Sequence, residues 1–79
     1  MKKLTQLEVS ELIADMYLKS EMEEYKDLRL GQIAISLLWD KNPELTRSIV
    51  GTDADCFYVA DKNLSTDSRW TNFLNKIQD

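Results

Sequence analysis

A chain of 79 residues holds one domain, and at that size a single core is only marginally stabilising. The formal charge of −4 is spread without a basic stripe, which argues against nucleic-acid binding, since that affinity rests on neutralising phosphates. Histidine is absent and Cys56 is the single cysteine, which excludes an internal disulfide, His/Cys zinc sites and Ser-His or Cys-His nucleophiles within one chain.

The N-terminal stretch MKKLTQLEVSEL has two lysines, but Glu8 and Glu11 interrupt any apolar run of a secretion signal. No apolar run approaches membrane-spanning length, and a lone cysteine fits a reducing compartment. The expectation is a cytoplasmic protein without membrane contact. Residues 1–27 form an acidic N-terminal helix region, with Lys2, Lys3, Lys19 and Lys26 against seven acids. Residues 28–79 form the motif-bearing helical core of the same single domain, 1–79.

Thr5 and Glu8 have the spacing of a capping box, and Leu4 can staple onto Val9. Val9, Leu12, Ile13 and Met16 then follow one helical face, which predicts a helix over 7–17. Beyond Tyr17 that face reads Ser20, Glu23, Glu24 and leaves the core. Ser20 and Glu23 repeat the capping-box spacing, so a break is expected near 19–21, with one long helix as the alternative.

LRLGQIAISLLWDK predicts a second helix over 30–40 with two apolar sides. Leu30, Ile33, Ala34, Leu37 and Leu38 make one stripe; Leu28, Ile35 and Trp39 make another. Such a helix is central in its bundle or lies at a subunit interface. The N-terminal helix is expected to cover part of the second face and to leave Trp39 near an edge. Gly31, beside Ala34, would let another backbone approach closely.

Asn42, Pro43 and Glu44 open a third helix as N-cap, first residue and dipole-matched acid, with Leu45 and Ile49 inward and Gly51 closing it. Residues 51–64 read as a loop. A last helix starts near Ser65 or Thr66, with Asp67 in its first turn and Trp70, Phe73, Leu74 and Ile77 on one face, predicting helix over 67–76. The fold class is all-α, a compact bundle of four to five short helices.

The loop GTDADCFYVAD clusters aspartates around Cys56, Phe57 and Tyr58. Counted from Asp53, a calcium loop fails at its fifth, sixth and twelfth positions, where Phe57, Tyr58 and Leu64 stand. No metal or cofactor is expected. Asp53 and Asp55 oppose a thiolate at Cys56, which reads as buried and inert. The loop reads as a capped turn: Thr52 caps it, Phe57 anchors it in the core, and Tyr58 holds its hydroxyl outward. Its length leaves recognition as the alternative.

The set R-x-G-Q (Arg29, Gly31, Gln32), NPEL (Asn42 to Leu45) and GTD-x-D-x-FY with a following aspartate (Gly51 to Tyr58, Asp61) resembles small, largely uncharacterised proteins encoded by bacteriophages and prophages. The resemblance covers residues 28–74 and leaves the acidic N-terminal helix outside. Ser36 stands where the pattern has asparagine, and Cys56 where it commonly has proline. The resemblance implies a phage-type origin and supplies no activity.

These readings predict a non-catalytic interaction protein that binds or inhibits a host or phage protein; homo-oligomerisation is compatible with this. Candidate partner-binding residues are Arg29, Gln32, Trp39, Asp53, Asp55 and Tyr58. Arg29 also has a structural reading, pinning the 51–61 loop through the carboxylates of Asp53, Asp55 or Asp61. The alternative function is a small helical nucleic-acid-binding module. An enzyme using Asp53 and Asp55 ranks last, because neither a phosphate loop nor a nucleophile accompanies them.

Overall fold

The structure, a computed structural model, describes residues 2–79. Four α-helices build it: α1 (Gln6–Ser20), α2 (Leu30–Lys41), α3 (Pro43–Ile49) and α4 (Ser68–Ile77). Two 3-10 helices, Glu23–Tyr25 and Asp61–Thr66, join them. The all-α class expected from sequence is what forms.

The α1 start follows its local chemistry. The Glu8 N–H donates to Thr5 Oγ1 at 3.1 Å, and the Thr5 N–H donates to Glu8 Oε1 at 2.9 Å. Val9, Leu12 and Met16 are buried, and Ile13 packs half-buried against them. The helix breaks after Ser20, as its fading apolar face predicts. The second capping box does not form: the Ser20 hydroxyl turns back to donate to the Tyr17 carbonyl, and Met22 precedes the 3-10 turn instead. Turned back to its own helix, the Ser20 oxygen accepts no N–H of the 3-10 turn, which has no side-chain cap.

The centre of the bundle is α2, which touches α1, α3 and the Asp61–Thr66 helix. Ile33, Ala34, Leu37 and Leu38 are buried in the shared core, while Leu30 is half-buried. Asn42 then does two jobs. Its Oδ1 accepts the Leu45 N–H at 3.1 Å and caps α3, and its Nδ2 donates to the Lys2 carbonyl at 2.7 Å, holding the segment ahead of α1. Thr46 is fully buried, and its hydroxyl donates to the Asn42 carbonyl at 2.9 Å. Gly51 follows α3 with φ +83°, the left-handed conformation that glycine adopts without strain.

Two expectations change beyond this point. Residues Asp61–Thr66 are a 3-10 helix with Leu64 buried, so the loop is 51–60 and does not run to 64. The last helix starts at Ser68, and Asp67 stands outside it as the N-cap, accepting the Arg69 N–H at 2.8 Å. A short acidic side chain satisfies a free N–H better from the cap position than from within the first turn. Phe73 and Ile77 carry α4 into the core, with Trp70 stacked on Phe73 at 5.4 Å.

The two ends meet in a pairing with no local sequence signal. Leu4 N–H donates to the Ile77 carbonyl, and Asp79 N–H to the Leu4 carbonyl, each at 2.8 Å. This isolated parallel bridge sits beside the buried Leu4 side chain. Among the described residues, no helix is long and apolar enough to cross a membrane.

Candidate functional site

The second face of α2 decides what this surface offers. Ile35 is buried, but Leu28 is exposed and Trp39 is 45 % exposed. Ile35 belongs to the same core cluster as the α1 stripe of Val9, Leu12 and Met16, while Leu28 and Trp39 stay open. On the outer side Ile35 adjoins Val50, at the end of α3, and Phe57 and Tyr58 of the loop. Trp39 does lie near an edge, as expected.

Two open depressions of about 350 and 400 Å³ adjoin there. Both are lined by Ile35 and Val50, so they form one groove. Trp39 and Asp40 stand at one end; Asp55, Phe57 and Tyr58 stand at the other. Val50 is 52 % exposed and Tyr58 68 %. The Arg47 guanidinium lies over the Trp39 ring, 5.2 Å from its centroid, a cation–π contact that steadies the indole. The Tyr58 ring meets Phe57 edge-on at 4.9 Å.

The loop wall is held by hydrogen bonds to α2 and within itself. The Arg29 guanidinium donates to the Tyr58 carbonyl at 3.0 Å. Asp61 Oδ1 accepts the Leu30 N–H at 2.7 Å, capping α2 from a distant part of the chain. Gln32 Oε1 accepts the Arg29 N–H at 2.8 Å. Asp55 accepts the Gly51 N–H at 2.8 Å and the Phe57 N–H at 3.0 Å, which closes the turn. Thr52 Oγ1 accepts the Ala54 N–H at 3.2 Å, the capped turn expected there.

Arg29 therefore pins the loop, but through the Tyr58 carbonyl and not through a carboxylate. The aspartates are apart in function: Asp55 closes the turn, Asp61 caps α2, and Asp53 lines a separate polar depression with Lys3 and Lys76. The Asp53 carbonyl accepts Asn72 Nδ2 at 3.0 Å. Among the described residues no three acidic or thiol side chains are grouped to hold a metal ion. Phe57 is a half-buried groove wall, and the deeper anchors of the loop are Ala54, Cys56 and Val59. Burial pushes the Cys56 thiol up to about 12, with Asp55 adding to the same direction.

Of the residues singled out from sequence, the groove brings together Trp39, Asp55 and Tyr58. Arg29 supports it from behind Tyr58, Gln32 caps α2, and Asp53 lies in the other depression. Ile35, Val50 and Arg47 were missed as site residues. The signal for Val50 was an apolar residue immediately before the glycine that closes α3, a position at a helix end where burial is incomplete. No family model, no curated protein and no solved structure matches this chain. The fold and site define a small all-α domain carrying an open apolar groove.

Proposed function

We propose that this chain is a non-catalytic interaction protein that receives an apolar segment of another protein in the groove between α2, the end of α3 and the 51–60 loop. The carrying observation is the exposed set Trp39, Val50 and Tyr58 around Ile35. Tyrosine and tryptophan beside an apolar depression are the side chains that concentrate binding energy at protein interfaces. The loop wall is fixed by hydrogen bonds before any partner arrives, so little ordering opposes binding. A non-catalytic role is supported by the chemistry that remains: the thiol is buried and protonated, while Asp55 and Asp61 are engaged with backbone N–H groups.

A host or phage protein, met in the host cytoplasm, is the partner proposed. The test is retention from a host lysate on immobilised wild-type chain and on the Val50→Lys and Tyr58→Ala variants. Both side chains are exposed, so the variants keep the fold. A protein retained by the wild type and lost from both variants supports the proposal. Equal retention by all three chains, or recovery of nucleic acid in place of protein, contradicts it.

A further inference from the structure

The outward side of α1 carries a second apolar feature that the groove does not use. Leu7 is 70 % exposed and Leu18 66 %. Leu7, Glu11, Ala14 and Leu18 are spaced by four, three and four residues, which puts them within roughly 60° of arc on a helix. The buried face of Val9, Leu12 and Met16 is on the opposite side. Glu11, Ala14, Asp15, Leu18 and Lys41 line a depression on this ridge, where the small Ala14 leaves room and Lys41 stands among two acids.

Within its end turns α1 matches its own dipole, with Glu8 in the first and Lys19 in the last; beyond them, Lys2 and Lys3 precede its N-terminus, and Glu21, Glu23 and Glu24 follow its C-terminus. Glu23 pairs with Lys26, and Lys2 and Lys41 favour the charged form of Glu8 from a distance, while Glu21 and Glu24 form no ion pair among the described residues.

We infer that a second copy of this chain docks along this ridge with its α1 antiparallel. A two-fold axis between residues 12 and 13 places Leu7 against the partner's Leu18 and Glu11 against the partner's Ala14. Leu7 then enters the depression beside Ala14, and Glu11 approaches the partner's Lys41. The same register brings the basic start of one α1 to the acidic end of the other. It makes these flanking charges complementary between two chains. One helix face buries less than about 1,200 Å², which belongs to the weak, transient class of interfaces.

Sedimentation equilibrium tests the association, and cross-linking tests its direction. The wild type should show a concentration-dependent mass approaching two chains between about 10 µM and 1 mM. Leu7→Lys and Leu18→Lys should each weaken association by roughly tenfold or more while leaving the helical spectrum unchanged. Lys2→Glu combined with Lys3→Glu should weaken it too, and raised salt should have the same effect. A mixture of Leu7→Cys and Leu18→Cys chains, treated with a short bismaleimide, should give the mixed pair in excess over either self-pair; buried Cys56 stays silent. A single-chain mass throughout that range overturns the inference. So does a Leu7→Cys self-pair that dominates, because that product requires parallel helices.

Discussion

Gly31 of α2 lies against the backbone of Cys56: a Cβ at position 31 would stand 2.0 Å from the Cys56 carbonyl oxygen. The loop that walls the groove therefore rests directly on the first turn of the central helix. Glycine is the residue that permits this approach, and the contact is with backbone, which cannot swing aside.

Gly31→Ala should destabilise the domain by roughly 1–3 kcal/mol through overpacking. Helix propensity alone would make the same change stabilising by about 1 kcal/mol, so the sign separates the two effects. Urea unfolding of Gly31→Ala beside Ser36→Ala, an exposed position on the same helix, checks it. The first should lower the midpoint, and the second should leave it unchanged or raise it.

Trp39 and Phe73 should respond differently to truncation. Phe73 is fully buried in the core, so Phe73→Ala should cost about 3–5 kcal/mol and leave little folded protein. Trp39 is half-exposed with Arg47 over its ring, so Trp39→Ala should cost about 1 kcal/mol. Thermal unfolding of the two variants should show a large gap; equal losses would mean that Trp39 is a core residue.

Acid should weaken the α1 and α4 starts. The Thr5 N–H donating to Glu8 holds that carboxyl below its usual range, and Arg69 does the same for Asp67. Each is a carboxylate with a depressed folded pKa, so its contribution is complete above the ordinary value, near 4.5 for Glu8 and 3.8 for Asp67. It is lost as pH falls through the folded value. Stability measured downward from pH 5 should fall, and Glu8→Gln combined with Asp67→Asn should flatten that fall.

Cys56 should resist alkylation in the folded protein. Its thiol is buried and raised to about 12, so the thiolate is scarce at neutral pH. Iodoacetamide labelling at pH 8 should proceed at the rate of unfolding and should accelerate in the destabilised Gly31→Ala chain. Rapid labelling of the intact fold would contradict the packing described.

Helix starts were legible because their signals are local. Thr5 with Glu8, and Asn42 with Pro43, carry capping within a few residues, and each acts as read. Long-range hydrogen bonds were not legible. Leu4 pairs with the far end of the chain, and Asp61 caps α2, through partners that no spacing announces. The Asp61–Thr66 helix was hidden because DKNLST offers a single apolar residue, Leu64, and so no periodicity. The two-sided character of α2 was visible in Ile35 and Trp39. What flanks that face depended on where α3 ends and how the loop returns, which follows from the Gly31–Cys56 contact and not from either segment alone.

The groove as the binding surface is tested most directly by the fluorescence of Trp39. A Trp70→Phe chain leaves Trp39 as the lone indole. The protein retained in the capture experiment, purified and titrated in, should shift Trp39 emission to the blue and shield it from acrylamide. The Val50→Lys version of the same chain should show neither change. Full-affinity binding with Trp39 emission and quenching unaltered would contradict the account, because the partner would then be held elsewhere.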